Sequence, residues 1–188
     1  RTIYEEGVVI PPFKLYEAGK VNEDALRIIL NQVRVPDWNR ADLNGLVAAC
    51  RTAGRRVQEM CTRFGVATYL SALDLLLARN YEAMKTLLHL VFEEGRTLSF
   101  TDYICDDGVG YGPYELKLSL TRTGDKVLLD FTGSSPQAKG PINYYINENL
   151  VRMFFGIYMI TVADPQILWN DGFYPLVDVT IPDGSFWK

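Results

Sequence analysis

One histidine and three cysteines are all that 188 residues offer for metal or thiol chemistry. The lone imidazole, His89, excludes a histidine-rich metal centre within this segment and gives a Ser-His-Asp triad little to start from. Flanked by Leu88 and Leu90 in a helical pattern, it reads as a helix-surface residue. Cys50, Cys61 and Cys105 are odd in number and widely spaced, so no disulfide framework is expected. Cys50 and Cys61 have apolar neighbours and are expected to be buried free thiols in a reducing compartment. The 19 basic residues are interleaved with 23 acidic ones, for a net charge of −4. Without a basic stripe, nucleic acid is not an expected partner. The longest apolar stretch, residues 150–163, is too short to span a bilayer and carries Arg152, so it reads as a buried helix and no membrane contact is expected. No signal peptide is expected from the opening residues. No Gly-x-x-x-x-Gly-Lys-Ser/Thr run is present, and with it goes the usual phosphate cradle of a nucleotide site.

What is present is ordinary material for a folded protein: 48% apolar and 22% charged residues, enough for one good core. The first 20 residues are extended and proline-punctuated, with Ile3 to Gly7 and then Val8 to Ile10 before Pro11-Pro12. Asn22 is placed to cap a short helix carrying Leu26, Ile29, Leu30 and Val33. Two long helical patterns follow. Leu43, Leu46, Val47, Cys50, Val57, Cys61 and Phe64 recur at steps of three and four; Gly65 breaks the run; Leu70, Leu73, Leu77, Met84, Leu88 and Val91 resume it. At ~1.5 Å per residue each helix is roughly 35–40 Å long, and the pair predicts a helical hairpin.

After Gly95 the period changes to two. Leu98 and Phe100 mark one strand, Leu116, Leu118 and Leu120 a second, and Val127, Leu129 and Phe131 a third beyond the turn at Gly124-Asp125. A buried helix over residues 149–163 and a last strand with Val177, Val179 and Ile181 complete the pattern. The predicted fold class is α+β: a long helical hairpin followed by a small antiparallel sheet with a buried helix. The expected division places the extended segment and hairpin in residues 1–94 and the sheet and buried helix in residues 95–188. The opening on Arg1 suggests a piece of something longer.

The densest polar stretch is Asp130-Phe131-Thr132-Gly133-Ser134-Ser135-Pro136, where a strand runs into hydroxyls and a glycine. It reads either as a strand ending in a loop or as a turn that binds an anion through its backbone N–H groups. Asp106 and Asp107, beside glycines, have the oxygen chemistry of a divalent-cation site but not the spacing of an EF-hand; a solvated acidic loop is the plainer reading. Tyr144, Tyr145, Phe154, Phe155 and Tyr158 read as core, with an apolar substrate pocket as the alternative.

In order along the chain, Glu6-Gly7, Ile10-Pro11-Pro12, Lys14-Leu15, Asn22-Glu23 and Arg40-Ala41-Asp42-Leu43 resemble the hydantoinase B/oxoprolinase family. So do Asp106-Asp107-Gly108, the Asp130 to Pro136 run, Gly140-Pro141-Ile142-Asn143 and Asn170-Asp171-Gly172 with Pro175. The resemblance implies a cytoplasmic, ATP-dependent heteromeric enzyme. A hydantoinase A-type subunit or domain binds ATP and phosphorylates a small-molecule substrate. The B-type part then hydrolyses the activated cyclic amide (a hydantoin, oxoproline or another lactam) or joins a ketone to carboxy phosphate, as acetone and acetophenone carboxylases do. It also implies that a divalent metal is bound outside this segment, N-terminal to it, and that the segment alone is inactive. The residues it marks are Asp130, Ser134 and Ser135 as catalytic groups, and Thr132, Gly133, Asn143, Asn170 and Gly172 as substrate-binding groups. Hydroxyls and amides there would hold developing oxyanion charge while carboxylates move protons. The aromatic character around Trp169 and Phe186-Trp187 favours a ketone or a hydrophobic lactam. The competing reading is a non-catalytic assembly module whose helical hairpin docks partner subunits. The two combine if residues 1–94 are structural and residues 95–188 lie nearer the chemistry.

Overall fold

A computed structural model of the chain describes residues 9–188. Of the expected extended segment over the first 20 residues, the part before residue 9 lies outside them. Two compact units divide at Tyr69 and Leu70, inside the second long helix.

In the first unit, β1 (Tyr16–Glu17) and β2 (Lys20–Val21) pair as a minimal hairpin. Both turn residues, Ala18 and Gly19, have positive φ, as a two-residue turn of this hand requires. Helix α1 (Glu23–Leu30) begins where expected: the Asn22 side chain accepts the Ala25 N–H at 3.1 Å, and Glu23 and Asp24 complement the helix N-terminus. Its apolar face buries Leu26 and Leu30. Helix α2 (Pro36–Phe64) starts on a proline whose missing N–H costs nothing there and stops at Gly65, whose φ is +84°. None of its 29 residues is buried. Cys50 is exposed and Cys61 half-buried, so neither is the buried thiol expected from its apolar neighbours.

Helix α3 (Val66–Val91) follows, and its part beyond Leu70 belongs to the second unit, where Asn80, Met84, Leu87 and Leu88 are buried at helical spacing. A four-stranded sheet in the order β3-β4-β5-β6 carries the core: β3 (Thr97–Ile104), β4 (Tyr114–Thr123), β5 (Lys126–Asp130) and β6 (Val177–Thr180). The first three are antiparallel, in the register Leu98↔Leu120, Phe100↔Leu118 and Leu120↔Leu129. β6 pairs with β5 in parallel, through Val127↔Val177 and Leu129↔Val179. The sheet is therefore mixed, not antiparallel throughout. The reason is the long crossover between the two strands, which contains helix α4 (Glu148–Ala163); such a connection returns the chain in the same direction.

α4 is capped by Asn147, whose side chain accepts the Leu150 N–H at 2.9 Å. It buries Val151, Gly156, Met159 and Ile160 against the sheet and the 3-10 helix at Asp171–Leu176. Phe173, fully buried in that short helix, packs directly over Gly156; a Cβ at Gly156 would overlap its ring. α4 is not buried all round: Phe154, Ile157, Tyr158 and Val162 are exposed. Tyr144 and Tyr145 are exposed too, so the expected aromatic core is largely surface. No single helix among the described residues is long and apolar enough to cross a membrane.

Candidate functional site

The site is built where β5 ends. β4 continues past its last pairing with β5, Ser119↔Asp130, and its backbone from Leu118 back to Tyr114 needs new partners on that side. Ser134 and Ser135 supply them. Ser134 Oγ accepts the Lys117 N–H at 2.9 Å and the Trp187 indole N–H at 3.1 Å, and its proton is shared between the carbonyls of Phe131 (2.9 Å) and Lys117 (3.2 Å). Ser135 Oγ accepts the Glu115 N–H at 2.8 Å, while its own N–H donates to the Glu115 carbonyl at 2.8 Å. Two serines thus continue the ladder that β5 leaves off. A hydroxyl has one proton and two lone pairs, so Ser134 has none spare.

The rest of the loop is held the same way. Asp130 Oδ1 accepts the Thr132 N–H at 2.9 Å, and the Ser134 N–H donates to the Phe131 carbonyl at 3.2 Å. With the amides at 132, 134 and 135 all engaged, the turn is not the anion-binding nest that its composition allowed. Gly133 has φ +91° and passes close to the Lys117 side chain. Asn143 grips Ala138 twice, accepting its N–H at 2.7 Å and donating to its carbonyl at 2.8 Å. The C-terminal segment is laced to the loop: Phe186 N–H to the Ser135 carbonyl, Tyr144 N–H to the Phe186 carbonyl, and Ile146 N–H to the Trp187 carbonyl. Phe131 and Trp187 meet edge to face with centroids 5.4 Å apart.

Beneath this lies Asp107, almost fully buried. Its Oδ1 accepts the N–H groups of Val109 and Tyr111 at 3.0 Å; its Oδ2 accepts the Tyr114 hydroxyl at 3.0 Å and the Gly140 N–H at 2.9 Å. Burial pushes its pKa up, but the four donors outweigh burial and hold it below the ordinary carboxylate value. The Tyr114 hydroxyl moves the other way, raised by burial and by the bond to Asp107. Gly140 must be a glycine here, because a Cβ would stand 2.5 Å from the Asp107 carbonyl oxygen. Asp107 is thus neither a solvated loop residue nor a cation ligand: its oxygens are filled by the fold. Asp106 remains exposed, turned onto the Gly108 N–H at 2.8 Å. No group of three or more His, Cys, Asp or Glu side chains among the described residues is placed to hold a metal.

Asn170 and Gly172 lie elsewhere. They precede β6, whose start lies beside Val127, whereas residues 130–135 follow the end of β5; the two groups flank opposite ends of the parallel pair. Asn170 caps the 3-10 helix through the Gly172 N–H at 2.9 Å and donates to the Leu76 carbonyl at 3.2 Å. Gly172 lies so close to the Leu77 carbonyl that a Cβ there would clash. Both dock the 3-10 helix on α3.

The polar groups left facing outward near the loop are a carboxylate, a hydroxyl and an ion pair. Asp130 is half-buried and Thr132 exposed. On the same polar face of the sheet, Lys117 and Glu115 pair at 3.2 Å, with Lys117 two positions along β4 from Ser119, the partner of Asp130. Neither was singled out by its sequence, although both lie on the polar side of the Leu116–Leu118–Leu120 alternation. A cation, a carboxylate and a hydroxyl at the carboxyl end of a parallel strand pair can hold an anionic oxygen and move a proton.

This α+β architecture with its mixed sheet is shared with solved enzyme structures. The chain belongs to the hydantoinase B/oxoprolinase family, whose model matches residues 1–188. It is 30% identical over 188 residues to the caprolactamase subunit beta of Pseudomonas jessenii, covering 98% of this chain and 31% of that protein. The crystal structure of the ATP-dependent caprolactamase from the same organism superposes with a TM-score of 0.83 at 28% identity, again over 98% of this chain and 31% of that one. The acetophenone carboxylase delta subunit of Aromatoleum aromaticum is 30% identical over 149 residues, 76% of this chain and 21% of that protein. The chain therefore spans about a third or less of the length of these relatives.

Proposed function

We propose that this chain is part of the B-type subunit of an ATP-dependent heteromeric enzyme that acts on a phosphorylated carbonyl intermediate, opening a cyclic amide. The observation that carries the reading is the match to the caprolactamase beta subunit over 98% of the chain in both sequence and fold. ATP is handled by a hydantoinase A-type partner, a divalent metal is bound outside this segment, the segment alone is inactive, and the complex works in the cytoplasm. Within the segment, the chemistry borders the polar sheet face and the loop at residues 130–143. Lys117 and the Thr132 hydroxyl stabilise developing negative charge on the activated oxygen, and Asp130 moves a proton. Ser134, Ser135 and Asn143 hold Thr132 and Gly133 in place. Carboxylation of a ketone is the second reading, favoured by the likeness to the acetophenone carboxylase delta subunit.

The test is turnover by the complete complex, supplied with ATP and either caprolactam, a hydantoin, 5-oxoproline, or a ketone with bicarbonate. Phosphate release coupled to ring opening is expected for at least one cyclic amide. Release coupled only to ketone and bicarbonate would select the carboxylase reading, and no coupled release with any of them would sink both. For residues 9–69 an assembly role is favoured by one observation: α2 runs 29 residues without burying one. Leu46→Asp with Val57→Asp on that helix is expected to split the complex on size exclusion while leaving the subunit folded.

A further inference from the structure

The four-stranded sheet has one polar and one apolar face, and only half of the apolar face is covered. Register places Leu98, Leu120 and Leu129 side by side on it, with Phe100 beside Leu118. Burial falls steadily across it, from Leu129 at 3% exposed, through half-buried Leu120 and Leu118, to Leu98 at 43% and Phe100 at 63%. α4 lies toward the β6 side of the sheet, away from β3. Between α4 and strands β4 and β5, beside the bare β3, lies a groove of roughly 410 Å³, walled by Phe154, Phe155 and Tyr158 of α4 and floored by Leu118, Leu120 and Phe131. β3 is also an edge strand, eight residues long, with seven of them exposed.

We propose that this open half-face is the seat of another segment of the same subunit polypeptide, an amphipathic element that lays its apolar stripe along the groove and over β3. Three observations select this occupant. The groove is continuous with the core: Leu129, Phe131, Ile146, Val151 and Met159 belong to both. Its lining consists of aliphatic, aromatic and thioether side chains, with the Tyr158 hydroxyl as the one polar side-chain group, so it lacks the converging polar groups that orient a small ligand. A surface of that kind resembles a core cut in half, the mark of permanent association and not of a partner that comes and goes. Finally, the relatives supply the chain to fill it: this segment accounts for 31% of the caprolactamase beta subunit. A sheet that leaves a long apolar edge strand bare is an aggregation hazard, which co-folding with the rest of the subunit removes.

The experiment uses the whole subunit, purified without its partner. Leu98→Cys and Phe100→Cys are made separately, the melting transition of each confirms folding, and alkylation of each new thiol is followed by peptide mass spectrometry. The rate is compared with that of the same thiol in urea. Slowing by at least about tenfold, independent of protein concentration, is the expected result. Slowing that appears only when the partner subunit is added, or only as concentration rises, assigns the seat to a partner or to a second copy and overturns the proposal. Fast labelling under all native conditions overturns it as well. Leu98→Cys removes less apolar surface than Phe100→Cys does, so it carries the test if the larger truncation unfolds the protein.

Discussion

Asp107 is the residue on which two loops depend, because one carboxylate takes donors from the glycine-rich turn, from β4 and from Gly140. Its pKa is depressed in the folded state, so its contribution to stability is complete above the ordinary value of 3.8 and is lost as pH falls through the folded-state value. Asp107→Asn keeps an acceptor for Val109 and Tyr111 but turns an amide N–H toward that of Gly140. The gap in urea midpoint between wild type and this variant is therefore expected to be wide near neutral pH and to close below about pH 4. Ser134 and Thr132 test the proposed separation of clamp from chemistry. Ser134→Ala strands the Lys117 N–H and the Trp187 indole N–H, at a cost of about 1–3 kcal/mol in unfolding free energy, while turnover per folded complex falls less than in Thr132→Ala. Thr132→Ala, at an exposed position, should leave stability within about 0.5 kcal/mol and lower the turnover of the complex. The reverse pattern in paired denaturation and rate measurements would make Ser134 the chemical group.

Among the elements, α4 and the 3-10 helix are joined by a tight fit at Gly156. Gly156→Ala would gain a little helix propensity but force the fully buried Phe173 ring aside. Overpacking of this kind costs about 1–3 kcal/mol, and a matching drop in urea midpoint is expected. The β4–β5 turn is tied to α3 by Asp125, which takes Lys85 at 2.7 Å and His89 at 2.8 Å. Those two bonds hold the Asp125 carboxyl below its usual range, and they give the single histidine a structural post on the helix surface. α4 also shows why its aromatics were misplaced by pattern alone. Its apolar residues fall on nearly every side, so periodicity cannot say which side meets the sheet.

At the scale of the whole molecule, burial is uneven. The second unit has a core running from Met84 and Leu88 through Val127 to Phe173, whereas α2 has no buried residue. The caprolactamase beta subunit is about three times as long, and these exposed faces are the ones for which an assembly role (α2) and a covering segment (the sheet) are proposed. Two predictions belong here: coupled turnover by the complete complex, and slow alkylation at the open half of the apolar sheet face in the whole subunit.

The sequence by itself determined the elements and the family. Helical spacing, the Asn22 cap and the Gly65 stop set out α1, α2 and α3, and period-two alternation marked β3, β4 and β5, because these patterns follow from local geometry. Ordered motifs from Glu6 to Pro175 carried the family likeness. Tertiary structure alone decided the rest. β6 runs parallel because a helix-bearing crossover precedes it. Asp107 is a buried hub because Gly140, distant in sequence, brings it a fourth donor. Ser134 and Ser135 are ladder partners because β4 outruns β5. Asn170 and Gly172 are separated from the Asp130 loop by the length of a strand. Each of these depends on which backbone groups remain unpaired after the strands align, and a linear pattern of side chains does not record that.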